Sequence, residues 1–320
     1  MNHGGMKKPE RILVIRYGAL GDMIYCFQSF AEIRAAHPRA EITVLTAPAF
    51  VEFAKRMPWF DHVMPDPHPT LRQPLVWWKL AKQIREQNFT RVYELHGKLR
   101  QSILYGLIGG PIWAPEWSGA APLCSHPRLW PPQPNTHFED FLAAQLRLAD
   151  VPAQQRADLA WLDGPVDGLD LPPRYAVIVP GCTAGQNYKR WPAENYAAVV
   201  RYLKDQDIPV IAVGTKADTD AISVIKTLAP DLIDLSGRTS LFQLAGVLRR
   251  AALIIGNDTG PMHMGAALGA PTLALLSGST NPVWSAPRQP GAQWLKEQVL
   301  SSLPVGKVLL ALPALLDHKT

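Results

Sequence analysis

The sequence predicts an α/β protein of two doubly wound domains, each a parallel sheet layered with helices. Three observations carry this. Apolar runs of strand length alternate with segments of helical periodicity along nearly the whole chain. The alternation occurs twice, on either side of a proline-rich linker at 165–174. The length, 320 residues with 47% apolar content, suffices for two ordinary cores. The expected domains are residues 1–165 and 166–320.

The first half opens on the strand Arg11-Ile12-Leu13-Val14-Ile15-Arg16. The loop Tyr17-Gly18-Ala19-Leu20-Gly21-Asp22 follows, then a helix to residue 36. A strand at 41–46, a helical piece at 48–55 and a short strand at 62–64 come next. In the helix at 75–87 the Trp77-Trp78 pair reads as core packing. A strand at 91–95 leads through His96-Gly97 into another helix. Residues 112–134, rich in Pro and Trp, read as irregular, and 135–150 as helix.

The second half begins with a strand at 175–179 and a polar loop at 180–192, where Pro192 starts a helix reaching 205. Strands at 209–213 and 233–234 alternate with helices at 218–229 and 240–250. The apolar run Ala251-Ala252-Leu253-Ile254-Ile255 then enters Gly256-Asn257-Asp258-Thr259-Gly260-Pro261-Met262-His263 and a tightly packed helix. A strand at 272–276 follows. The terminal apolar helix at 305–316 is a candidate to pack back on the first domain.

Ligands of open α/β sheets sit beyond the carboxyl ends of the strands. Asp22 and Thr259 both follow strands, so both are expected at that edge, facing a cleft between the domains. Thr259-Gly260 marks a strand-to-helix junction, where unpaired N–H groups and a partial positive charge suit a diphosphate. Gly260 lets a phosphate approach the backbone. Asp258 and His263 are candidates for sugar and phosphate contacts, although His263 equally fits as a satisfied helix histidine. Lys189 and Thr183 are candidate phosphate ligands, and Lys189 taken alone fits a solvated loop charge equally well. Asp22 opens a helix, where aspartate is often only a cap.

Other classes are disfavoured. The first glycine of a dinucleotide fingerprint is missing, because position 16 is Arg, and no acid closes the second strand. A net charge of +5 without an aromatic-interleaved basic stripe gives no reason to expect nucleic acid. Cys26, Cys124 and Cys182 form neither a metal nor a disulfide pattern, and Cys182 reads as structural. Asp205-Gln206-Asp207 and Asp218-Thr219-Asp220 are assigned no metal, since the first lies at the amino end of a strand and the second suits a helix start. With no signal-like leader and no spanning apolar run, a cytoplasmic protein is expected.

The chain resembles glycosyltransferase family 9, the group of the lipopolysaccharide heptosyltransferases. The matching pieces are Ile12 to Arg16 with Gly21-Asp22-Met23, and Glu94-Leu95-His96-Gly97-Lys98-Leu99-Arg100. Pro180-Gly181 with Lys189-Arg190-Trp191-Pro192, then Gly214 to Asp218, and Gly256 to His263 with Gly269-Ala270-Pro271-Thr272 complete them in the family's order. The resemblance implies a GT-B fold, with an acceptor-binding first domain and a nucleotide-sugar-binding second. It implies an inverting, metal-independent transfer that needs no cofactor, with Asp22 as base. Thr183, Lys189, Thr259 and Gly260 would contact the diphosphate, with His263 nearby. Asp218 would meet the ribose, where the family more often has Glu, and Asp258 the donor. Lys98 and Arg100 would face the acceptor, with solvated charge the alternative. The implied partners are an ADP-heptose donor and a lipopolysaccharide inner-core acceptor at the inner face of the inner membrane. The alternatives are a GT-B enzyme for another nucleotide sugar or acceptor, a protein included, an epimerase, or a non-catalytic nucleotide-sugar binder.

Overall fold

A computed structural model describes residues 10–97, 99–182 and 185–317. The chain divides into two compact units between Asp158 and Leu159. The expected linker therefore lies within the second unit. Its approach is held there by polar bonds: Arg249 donates to the Leu159 carbonyl at 2.8 Å, and Arg250 forks onto Asp163 at 2.6 and 3.0 Å.

The first unit carries β1 (Arg11–Ile15), β2 (Glu41–Thr46), β3 (His62–Pro65), β4 (Arg91–Glu94), β5 (Glu116–Gly119) and β6 (His126–Pro127). They form one parallel sheet in the order β3-β2-β1-β4-β5-β6. Val14 pairs with Val44 on one side and Tyr93 on the other, so the centre is apolar and shielded. Two features correct the sequence reading. The segment expected to be irregular supplies β5 and β6, with Trp117 fully buried in the core. The tryptophan pair splits: Trp77 is core, whereas Trp78 is 52% exposed.

The second unit carries β7 (Ala176–Val179), β8 (Val210–Ala212), β9 (Ile233–Asp234), β10 (Leu253–Asn257), β11 (Thr272–Ser277) and β12 (Ala292–Glu297). The sheet is again parallel, in the order β12-β11-β10-β7-β8-β9. The terminal helix Val305–Leu316 buries Val308, Leu312 and Leu315 in this unit's own core, beside the helix Ala193–Lys204 and β11.

Both sheets have the same winding. In each, the strand order reverses between the first strand of the unit and its fourth: β1 with β4, and β7 with β10. A crevice opens at such switch points because the flanking loops leave in opposite directions. The loops that carry Asp22, Lys189 and Thr259 all leave strands at these two points.

Candidate active site

In the first unit, β1 hands over to Arg16, whose side chain is almost wholly buried. Its guanidinium donates to the Leu95 carbonyl at the exit of β4, lies 5.4 Å from the Phe138 ring centre, and pairs with Asp22 Oδ1 at 3.1 Å. Asp22 Oδ2 accepts the Ala19 N–H at 3.0 Å. Asp22 is thus a helix cap and an ion-pair partner at once. Its side chain remains 46% exposed. A carboxylate offers about four lone-pair sites, and these contacts occupy only part of them. The loop is tight: Gly18 has φ +114°, and a Cβ there would lie 2.2 Å from the Phe50 ring.

Behind Asp22 lies a closed set of buried charges. Glu94 ends β4 fully buried and accepts the N–H groups of His96 at 2.9 Å, Ala120 at 2.8 Å, and Gly97. Arg128 stands 3.7 Å from the Glu94 carboxylate, donates to the Glu94 carbonyl at 2.6 Å, and covers the Phe141 ring. Burial pushes the Arg128 guanidinium below its ordinary value, and Arg16 adds to this, while Glu94 opposes it.

Arg100 is engaged in architecture. It pairs with the buried carboxylate of Asp66, donates to the Pro69 carbonyl at 3.0 Å, and stacks 4.5 Å from the centre of Trp77. Little of it is left to meet an acceptor. Burial, then the Asp66 charge, drive the neighbouring Tyr17 phenol far above its usual range. Lys98, the other expected acceptor contact, lies outside the described residues.

The second unit is organised by a neutral group. Asn257 ends β10 with no exposed surface. Its amide N–H₂ donates to the carbonyls of Pro180 at 2.9 Å and Gly181 at 3.1 Å. Its oxygen accepts the Trp191 N–H at 3.1 Å and the Tyr196 hydroxyl at 3.0 Å. One side chain therefore fastens both arms of the loop that carries Lys189 to the strand that delivers Thr259. A planar amide with two donors and an acceptor suits this, and a buried charge would not.

Thr259 is the N-cap of the helix Gly260–Ala267, and its hydroxyl turns back to the Asn257 carbonyl at 3.1 Å. No side chain caps this helix end. Asp258 receives the Thr280 hydroxyl at 2.8 Å and faces His263 Nε2 at 3.1 Å. Burial works against the Asp258 charge, but the bond and charge of His263, the Thr280 hydroxyl and the Lys189 ammonium outweigh it. The carboxyl titrates below its usual range. Lys189, Asp258 and His263 thus share one electrostatic neighbourhood. Thr183 lies outside the described residues.

Asp218 turns inward. Its Oδ2 accepts the Thr215 N–H and hydroxyl, both at 2.9 Å, and Arg190 stands 3.8 Å from Oδ1. A Cβ on Gly181 would lie 2.6 Å from that same oxygen, so the position admits only glycine without a shift. Arg190 also donates to the Cys182 sulfur at 3.4 Å. Among the described residues, no three His, Cys, Asp or Glu side chains converge as a metal-binding group.

Sequence reasoning missed Arg16, Asn257 and the Glu94–Arg128 pair. For Arg16, Glu94 and Asn257 the signal was present: a charged or amide side chain closing an apolar strand at a switch point. Arg128, which follows the edge strand β6, carried no such signal.

The model for glycosyltransferase family 9 (heptosyltransferase) matches residues 77–302. The chain belongs to this family. It is 26% identical over 307 residues to lipopolysaccharide heptosyltransferase 2 of Escherichia coli K12, covering 87% of this chain and 85% of that one. Among solved structures, the family 9 glycosyl transferase from Veillonella parvula superposes with a TM-score of 0.80 at 22% identity, covering 97% of this chain and 98% of that one. The E. coli ADP-heptose lipopolysaccharide heptosyltransferase II follows with a TM-score of 0.75 at 23% identity, covering 96% and 98%. These likenesses identify the two doubly wound units as the GT-B fold, and family membership makes the chain a glycosyltransferase.

Proposed function

We propose that this glycosyltransferase moves a heptose from ADP-heptose onto an inner-core sugar of lipopolysaccharide, with inversion and without a metal. The observation that carries the reading is a division of labour at the switch points. The first unit offers a half-exposed carboxylate, and the second offers a lysine beside an uncapped helix end. Several relatives matched over most of their length are heptosyltransferases, and one structural neighbour is described by its ADP-heptose donor.

In this reading the acceptor hydroxyl attacks the anomeric carbon as the bond to the diphosphate breaks. The hydroxyl proton passes to Asp22, whose carboxylate Arg16 and Ala19 hold in place. A positioned base contributes on the order of 10²–10⁴-fold. The leaving ADP gains negative charge. Lys189, the Thr183 hydroxyl and the N–H groups at Thr259-Gly260 stabilise it where it develops. Asp258 and His263 contact the sugar–phosphate end. Asp218 acts on the ribose side by fixing the Thr215 turn. Lys98 takes the larger share of acceptor contact, since Arg100 is occupied. The enzyme works in the cytoplasm at the inner face of the inner membrane.

Calorimetry with ADP and AMP tests the donor site. ADP is expected to bind more tightly, because the second phosphate reaches Lys189 and the helix end. Gly260→Val is expected to abolish ADP binding while the first unit stays folded. Equal affinity for ADP and AMP overturns the site. Turnover of ADP-heptose on a lipopolysaccharide core acceptor in EDTA tests the chemistry, and strict dependence on Mg²⁺ or Mn²⁺ overturns the metal-free step.

A further inference from the structure

A helix packed on a sheet ordinarily turns polar residues to water. The helix Pro74–Glu86 departs from this. Its inner face, Trp77, Leu80, Ala81 and Ile84, is buried. Its outer face carries Leu75, 74% exposed, and Trp78, 52% exposed, interleaved with the exposed Lys79 and Lys82. The Lys82 ammonium stands 5.4 Å from the Trp78 ring centre. Leu71, also 74% exposed, and the exposed Arg72 precede the helix. The Trp77 indole, donating to the Thr70 carbonyl at 3.0 Å, ties their turn to it. Leu99, another residue 74% exposed, belongs to the same corner, because its neighbour Arg100 donates to the Pro69 carbonyl at 3.0 Å.

Four large apolar side chains thus project to water around three cations. Leu71, Arg72, Leu75 and Leu99 lie where the chain leaves β3 and β4, on the carboxyl edge of the sheet that also bears Asp22, and Trp78, Lys79 and Lys82 continue the surface down the helix from there.

We infer that this corner docks on the surface of an anionic lipid bilayer. Charge selects the partner. Glu86 is the only acid of the helix, and it is engaged by Lys82 at 3.7 Å. Leu and Trp mixed with Lys and Arg is the composition that seats at the headgroup boundary, where each cation gains from the negative surface potential. Protein interfaces, by contrast, are depleted of lysine. The inference rests on the transfer reading in one respect: docking brings a lipid-anchored acceptor to the edge that holds Asp22.

The experiment is co-sedimentation of the full chain with phosphatidylglycerol-containing vesicles and with phosphatidylcholine vesicles. Binding to the anionic vesicles that weakens with salt is expected. Lys79→Gln with Lys82→Gln is expected to weaken it roughly tenfold or more. Leu75→Ser with Trp78→Ser should weaken it comparably, with circular dichroism unchanged. No binding to anionic vesicles, or both double variants binding like wild type, overturns the proposal. So does lipid-independent self-association that the Leu75/Trp78 variant abolishes, which would assign the corner to a protein interface. A transfer assay separates the two readings. The variants should lose activity on vesicle-borne acceptor and keep it on a soluble core fragment. Vesicle binding without transfer on either acceptor defeats the function and leaves the docking surface standing.

Discussion

The two units share a winding order and arm their switch points by opposite means. The first backs Asp22 with buried ions: Arg16 pairs with it directly, and Glu94 and Arg128 lie behind, held by carbonyls, N–H groups and a ring although the Nε of each arginine is left without a partner. The second fastens its loops with one neutral amide, Asn257, beside the looser Arg190–Asp218 pair, and among the described residues no ion pair engages Lys189. The difference follows from what each has to meet. A proton acceptor must already be a fixed carboxylate, so its counter-charge belongs to the protein. A diphosphate site receives its charge from the ligand, so cations and N–H groups are better left uncommitted.

The comparison can be broken at several points. Asp22→Asn keeps the shape of the first site and removes its proton acceptor. Transfer is expected to fall at least about a hundredfold, with donor affinity within a few-fold of wild type. Near wild-type turnover would reduce Asp22 to a helix cap. Asn257→Leu strips partners from Trp191, Tyr196, Pro180 and Gly181. Each buried group left unpaired costs about 1–3 kcal/mol, so with four groups affected a loss of at least about 4 kcal/mol is expected in denaturant melts. Hydrogen exchange should rise in the second unit and stay unchanged in the first. A uniform rise across both units would show that the amide is not local in its action.

Lys189→Ala is expected to weaken donor binding by about 10- to 100-fold, the loss of a charged hydrogen bond worth about 1.5–3 kcal/mol. Binding isotherms check this, and an unchanged affinity would return Lys189 to solvent. The smallest effect is a pH dependence. The Asp258 carboxyl is held below its ordinary value in the folded chain. Its ionic contribution is therefore complete above the unfolded value, about 3.9, and is lost as pH falls through the lower folded value. The stability gap between wild type and Asp258→Asn should be flat at neutral pH and shrink below about pH 4. A gap that widens there would reverse the sign.

Central strands were legible because they are buried on both faces and read as apolar runs: β2 falls on its expected residues, and β1 and β7 within one. The margins were legible only in part: the edge strands β3 and β9 fall on or within one residue of theirs, whereas β5, β6 and β12 were missed. In β5, Glu-Trp-Ser-Gly has a single large apolar residue, and β6 is two residues long. In β12, Trp294 and Lys296 share an edge strand that stays half open to water, so no pattern of burial is imposed on its sequence. At the site, Asp22, Lys189 and Thr259 stood out because they begin loops or helices. Arg16 was read as the end of a strand and Asn257 as part of the turn after one, because partners distant in sequence, such as Leu95 and Trp191, are visible only in the fold.

Trp191 has a second tether, from its indole N–H to the Leu303 carbonyl at 2.9 Å, just ahead of the terminal helix. The segment from Leu303 through the helix Val305–Leu316 is consequently a strut for the Lys189 loop, two positions upstream of that indole. A frameshift or proteolytic nick near residue 300 should leave a chain with an intact first unit that no longer grips its donor. For the same reason, an affinity handle fused rigidly to this end would report on donor binding as much as on yield.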